Sequence, residues 1–192
     1  LELEAKAAKR GIKNLKVRTQ NGFCLELAKA SGLKARNING YMSIKDTINR
    51  LGLFGNDRYL AYPAFQIMTK FMNTADTELS LMHCSKDIED RFHNQIVRFG
   101  GRNKSLDKIL AEVDKRKKRA VSIAASLFES FDYSSDLMLH DVYVKLVQLN
   151  YSEIQIAEDV LLVDEAQDTN AVMADIIDKI QARKVVVGDS QQ

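Results

Sequence analysis

An α/β fold, a partial parallel sheet interrupted by a mostly helical insertion, is predicted by three features of this 192-residue sequence. Val160 to Val163 is a continuous apolar run with β-branched ends, which suits a strand buried on both faces of a parallel sheet. Val185 to Val187, after Lys184, is a second such run, closed by Gly188 and Asp189, and between the two Val172, Met173, Ile176, Ile177 and Ile180 recur at helical spacing. That is a strand, helix, strand unit. From about Ile38 to Leu149, by contrast, the chain reads as amphipathic segments with few strand-like runs.

In chain order, Leu3 to Arg10 is rich in Ala, Glu and Lys and reads as the end of a helix, with Gly11 as its stop. Leu15-Lys-Val-Arg-Thr19 alternates apolar and basic residues and is expected to form a short strand. Phe23, Cys24, Leu27 and Ala28 mark a helical face that begins near Gln20-Asn-Gly22 and ends at Ser31-Gly32. Gly52, Gly55 and Pro63 punctuate the start of the helical stretch. Ile67, Met68 and Phe71 share a helical face that Asn73-Thr-Ala-Asp76 ends, and at that spacing Met and Phe are core residues.

Gly100-Gly101 is expected to turn the chain. Ser105 can then cap a long helix whose apolar stripe runs through Leu106, Ile109, Leu110, Val113, Ala120, Val121, Ala124, Leu127 and Phe128. Phe131 to Asp136 is a polar, turn-prone link, and Leu139, Val142, Tyr143 and Leu146 indicate one more helix. His140 and Asp141 fall on or near its opposite face, where a lone His reads as structural or solvated.

Composition narrows the classes. Hydrophobic residues make up 45% and charged residues 28%, and no apolar run approaches the roughly 20 residues that cross a bilayer, so no membrane partner is expected. A net charge of +2 is too small to mark a nucleic-acid binder, for which a local basic stripe matters more. One such run exists, Lys115-Arg-Lys-Lys-Arg119. A helix spreads it around more than one turn, so at least one cation should lie near the buried seam, and the run reads as a solvated face or a phosphate-binding one. Cys24 and Cys84 have no metal or redox spacing. Buried free thiols, with no signal peptide, point to an intracellular location, in cytoplasm, nucleoid or nucleus.

The first apolar run stops at Asp164 and Glu165. A parallel sheet places ligands beyond the C-terminal ends of its strands, which is where substrate phosphates are expected. One acid can hold a magnesium ion, directly or through its water shell, while its neighbour accepts a proton from the water that attacks a terminal phosphate. The alternative is that Asp164 to Asp168 cap the following helix, since its macrodipole favours carboxylates there. A two-acid metal nuclease is disfavoured, because the acids are adjacent on one strand end and no further ligand cluster accompanies them.

Val163-Asp-Glu-Ala-Gln-Asp-Thr-Asn170 followed by Val186-Val-Gly-Asp-Ser-Gln-Gln192 resembles motifs II and III of superfamily one DNA helicases of the UvrD/Rep/PcrA type. The resemblance implies a partial RecA-like P-loop NTPase core over residues 1–37 and 151–192, with a helical insertion similar to the family's 1B subdomain over residues 38–150. It implies ATP and Mg2+ as cofactors. Asp164 would serve magnesium and Glu165 would activate the attacking water. Gln192 would sense the γ-phosphate and link nucleotide state to the grip on DNA, while Gln167, a nucleotide-site residue, and Asp168 would tie that site to neighbouring motifs.

Thr19 stands at the motif Ib threonine that contacts the single-strand backbone, although the family usually has an aromatic and then a histidine where this chain has Gln20 and Asn21. A hydroxyl there can donate to a phosphate oxygen; the other reading is a residue in a satisfied turn. In such an insertion Lys115, Lys117 and Lys118 would contact DNA. Asn73–Leu79 and His140–Gln148 are similar to segments of the F-box DNA helicase branch. The implied activity is 3′ to 5′ translocation on single-stranded or partly duplex DNA, driven by ATP hydrolysis.

The phosphate-cradling pattern Gly-x-x-x-x-Gly-Lys-Ser/Thr does not occur, and no Gly is followed directly by Lys. The sequence begins without Met and stops inside what should be a continuing motif. The expectation is a piece of a helicase, inactive by itself. The alternative is a non-catalytic DNA-binding or scaffold module derived from one.

Overall fold

The computed structural model describes residues 2–11, 15–100 and 105–189. Helix α1 (Glu2–Lys9) ends where Gly11 takes φ +76, a left-handed conformation that glycine adopts without a Cβ penalty. The segment Leu15–Thr19 is not the expected strand. No partner strand lies beside it among the described residues. Leu15 and Val17 stay exposed, and the Val17 amide donates instead to Glu4 Oε1 at 2.9 Å. Alternation alone gives a strand two faces, but a ladder needs a neighbour.

Helix α2 (Gln20–Ala30) buries Cys24 and Ala28. Strand β1 (Asn37–Asn39) leads to helix α3 (Ile44–Leu51), which opens on a reciprocal cap. Ser43 Oγ accepts from the Asp46 amide and the Asp46 carboxylate accepts from the Ser43 amide. A 3-10 turn at Gly55–Leu60 precedes helix α4 (Ala61–Met72), whose first turn accommodates Pro63 and whose buried face includes Ile67, Met68 and Phe71. A second 3-10 turn (Leu81–His83) is followed by helix α5 (Lys86–Gly100). The expected turn at Gly100-Gly101 is corrected in part: Gly100 closes α5, and Gly101 lies outside the described residues.

Helix α6 (Leu106–Glu129) carries the long stripe, although Leu106 and Leu110 on it remain exposed. Ser105 occupies its N-cap position without a side-chain bond to the helix. Strand β2 (Leu137–Leu139) runs straight into helix α7 (His140–Asn150) and pairs in parallel with β1, Asn37 opposite Leu137. Strand β3 (Val160–Val163), helix α8 (Ala171–Lys179) and strand β4 (Arg183–Val186) complete the fold, with β3 and β4 parallel and Val160 opposite Arg183.

Helices α4 and α5 pack on α6, α2 packs on α7, and α7 packs on α8, so a single apolar core runs from Cys24 to Ile180. Val172, Met173 and Ile176 of α8 are buried in it, each worth about 1.5–3 kcal/mol relative to exposure. The architecture is α/β, but the described strands form two separate two-stranded parallel sheets. The second sheet is not buried on both faces as expected. Leu161 and Val163 turn towards the core, whereas Val160 and Leu162 are 50% and 62% exposed and every residue of β4 is exposed. Successive side chains in a strand point to opposite faces, and among the described residues no layer covers the outer one.

The interior is not wholly apolar. Lys145 and Gln148 of α7 are fully buried and aim at the loop after α4. Lys145 Nζ donates to the carbonyls of Thr74, at 2.9 Å, and Asp76, and lies 4.1 Å from the centre of the Phe71 ring. Gln148 Nε2 donates to the Ala75 carbonyl at 3.0 Å and to Asp175 Oδ2 on α8 at 2.7 Å. Three successive carbonyls of one loop are thereby held from a single helix, satisfying groups that would be costly if buried unpaired. Burial lowers the Lys145 pKa from 10.5 to about 8. Burial also pushes the Cys24 thiol up to about 12, so Cys24 is a core residue, and both cysteines are free. Among the described residues no helix is long and apolar enough to cross a membrane.

Candidate functional site

The site is built where β3 and β4 end side by side. Beyond the last paired residues the ladder continues: Val187 N donates to Val163 O at 2.8 Å, and Ala166 N donates back to Val187 O at 3.0 Å. This holds the chain after β3 against the chain after β4. Asp164 and Glu165 follow Val163 directly, and both are exposed. Glu165 has φ +51 and ψ +45 and is the one non-glycine residue at positive φ among those described. A left-handed conformation costs an L-residue about 1–2 kcal/mol, and such strain is characteristic of functional positions.

The strained turn is fastened by short bonds. Asp164 Oδ1 accepts from the Glu165 amide at 3.0 Å. Gln167 sits on the 3-10 turn Ala166–Asp168 and uses both ends of its amide: Nε2 donates to Glu165 Oε2 at 2.6 Å, and Oε1 accepts from the Asp189 amide at 3.0 Å. One side chain thus joins the acid after β3 to the backbone after β4. Gly188 makes the approach possible, because a Cβ there would sit 2.7 Å from Gln167 Oε1 and 3.2 Å from the Ala166 nitrogen.

The acids are not the cap of α8. Asn170 is, with its Oδ1 accepting from Met173 N at 3.0 Å, and the first turn of α8 holds no acidic residue. Asn170 Nδ2 also donates to Asn73 Oδ1 at 2.8 Å, linking the start of α8 to the loop that Lys145 and Gln148 hold. Asp168 closes the 3-10 turn and is exposed.

Thr19 is exposed and caps α2, its Oγ1 accepting from Gly22 N at 3.0 Å. A hydroxyl that accepts still has its own proton to donate. Next to it, Gln20 Nε2 donates to Thr169 Oγ1 at 2.9 Å, so the start of α2 lies against the end of the acidic turn. Nothing in the sequence marks this contact across 149 positions. Asp164, Glu165, Gln167 and Asp168 are therefore gathered on one turn, with Thr19 reached through Gln20 and Thr169; Gln192 lies outside the described residues.

The basic run belongs to α6 and is largely neutralised. Lys117 Nζ is 3.1 Å from Glu89 Oε2 on α5, and Lys118 Nζ is 2.7 Å from Asp114 Oδ2. Arg116 pairs with Glu112 and Arg119 with Asp57. The Arg119 guanidinium holds the Asp57 carboxyl below its ordinary range. Lys115 is exposed and forms no ion pair among the described residues. Lys117 is the cation nearest the buried seam, its side chain 21% exposed.

A stretch of 127 residues, 65% of this chain, is 31% identical to F-box DNA helicase protein 1 of Schizosaccharomyces pombe (strain 972 / ATCC 24843), and the match covers 12% of that relative's length. No solved structure matches. The family model of the UvrD/REP helicase N-terminal domain matches residues 2–192, and the chain belongs to that family.

Proposed function

We propose that this chain provides one side of the nucleotide site, and part of the single-strand grip, of an ATP-dependent DNA helicase that translocates 3′ to 5′. The observation that carries the reading is the Gln167 bridge, which fixes the Glu165 carboxylate against the Asp189 backbone at the ends of two parallel strands. Ligands of parallel sheets bind at that edge.

The carboxylates suit Mg2+, the ion that accompanies a nucleoside triphosphate. Asp164 is exposed and has a second carboxylate oxygen beyond the one that accepts the Glu165 amide, which suits magnesium, usually held by one or two carboxylates with waters and phosphate oxygens. Bound there, the ion would neutralise charge that develops on the transferred phosphoryl group. Glu165, oriented by Gln167, accepts the proton of the attacking water. Gln192 senses the γ-phosphate and links nucleotide state to the grip on DNA, and Gln167 ties the nucleotide site to the neighbouring strand end. Thr19 donates its hydroxyl proton to a backbone phosphate of the single strand.

In this reading residues 1–37 and 151–192 belong to the RecA-like core and residues 38–150 form the 1B-like insertion. The pairing of β1 with β2 sets the start of the insertion beside residues 137–139, one helix short of its far end. The open face of β3 and β4 is where further strands and helices of that core would lie.

The test uses the whole gene product. ATP turnover with Mg2+ is measured with and without single-stranded DNA, and streptavidin displacement is measured from oligonucleotides biotinylated at either end. Stimulation by DNA, with faster displacement from the 5′ end, is expected. DNA binding indifferent to ATP, with no turnover, would instead identify a non-catalytic module.

A further inference from the structure

Gln20 and Asn21 stand where the family pattern has an aromatic and a histidine, and both positions are anchored. The Asn21 carbonyl accepts from Tyr143 Oη at 3.2 Å, and Tyr143 Oη is in turn 3.0 Å from His140 Nδ1. The Gln20 amide donates to the Thr169 hydroxyl. Thr169 and Glu165 flank the 3-10 turn Ala166–Asp168 as its C-cap and N-cap, and the Thr169 amide donates to Ala166 O at 3.1 Å. A path of hydrogen bonds and backbone therefore runs from Thr19, at the head of α2, through Gln20 and Thr169 to the turn whose other end holds the Glu165 carboxylate.

We propose that Gln20 is a positioning residue that couples the single-strand grip at Thr19 to the loop bearing Glu165. This rests on the function proposed above. A strand seated on Thr19 draws on the first turn of α2, and Gln20, the next residue, passes the displacement to Thr169. The turn carries it to Glu165, because Thr169 and Glu165 are the two flanking residues of one 3-10 turn. The coupling is reciprocal, so nucleotide at the Glu165 end alters the grip at Thr19. Mechanically, two elements far apart in sequence share a single polar tie in a partly buried setting, where replacing either partner leaves the other unsatisfied.

The experiment is made on the whole gene product with Gln20→Met, which keeps the length and removes the amide, and Thr169→Val, which keeps the shape and removes the hydroxyl. Turnover of ATP is measured without DNA and across a titration of single-stranded oligonucleotide. Stimulation by DNA should fall roughly fivefold to tenfold in each variant, the scale of a modest coupling. Turnover without DNA should stay within about twofold in Gln20→Met, because Gln20 lies outside the turn that carries Glu165. Thr169→Ser should retain stimulation, and the double variant should lose no more than either single one.

Unchanged stimulation in both variants overturns the coupling and leaves the helicase reading standing. Equal loss of basal and stimulated turnover also overturns it, since that marks a purely structural contact. No ATP turnover in the unaltered protein overturns both readings.

Discussion

Substituting Gly188 by alanine tests how closely the two strand ends must approach. The added Cβ would lie 2.7 Å from Gln167 Oε1, 3.2 Å from the Ala166 nitrogen and 3.3 Å from the Ala166 Cβ. The last two distances require the turn to give by a few tenths of an ångström. The first cannot be kept, so Gln167 must swing away, breaking its bonds to Glu165 Oε2 and the Asp189 amide. Two such bonds on an exposed surface contribute about 1–3 kcal/mol together, a local loss that barely lowers global stability. If Glu165 is the base proposed above, the effect on turnover is larger, because a misplacement of about 1 Å in a catalytic group costs on the order of a hundredfold.

The assay is ATP turnover by Gly188→Ala, by Gln167→Ala and by the double variant, with thermal unfolding recorded for each. Gly188→Ala should be tenfold to a hundredfold slow with a nearly unchanged melting temperature. The double variant should be little slower than Gln167→Ala alone, because only the two looser contacts with Ala166 remain. Turnover in Gly188→Ala within twofold of the unaltered protein would refute the claim that Gln167 positions Glu165.

Two further outcomes follow from particular residues. Lys145 is depressed from 10.5 to about 8, so between those pH values the unfolded chain binds more protons than the folded one and unfolding free energy rises with pH. Below about 8 the group contributes no slope. Across the window the unaltered protein should gain about 3 kcal/mol relative to Lys145→Met in urea titrations, and parallel curves would refute the buried ammonium. For the basic run, Lys115→Ala should reduce the salt slope of single-strand binding by about one, whereas Lys118→Ala, whose ammonium is shared with Asp114, should shift it less. Equal effects, or none, in fluorescence anisotropy across a salt series would remove Lys115 from the DNA surface.

Much of the fold was legible because its signals are local. The stripes of α2, α4, α6, α7 and α8 and the apolar runs of β3 and β4 are written in consecutive residues. Helix α5 does not figure among the helices expected from the sequence, although Ile88, Phe92 and Ile96 recur at four-residue spacing and are all buried. Strands β1 and β2 were not, because three residues are too few to show a period.

The false strand at Leu15–Thr19 and the overestimated burial of β3 and β4 share a cause. A pattern states which side chains would turn inward but cannot say whether another layer lies opposite them. In the candidate site, the acids after β3 were evident from their place at the end of an apolar run. What fastens them was hidden: the left-handed Glu165, the Gln167 bridge to Asp189 and the Gln20 tie to Thr169 all depend on long-range proximity. Asn170 was within reach, since an Asn directly before a helical apolar pattern is a standard cap signal.

The most direct measurement of the central claim is Mg2+-dependent ATP turnover by the whole gene product carrying Glu165→Gln, set beside nucleotide binding by the same protein. If Glu165 accepts the proton of the attacking water, turnover falls by about a hundredfold to ten-thousandfold while binding is retained. Turnover within a few fold of the unaltered protein would contradict that assignment.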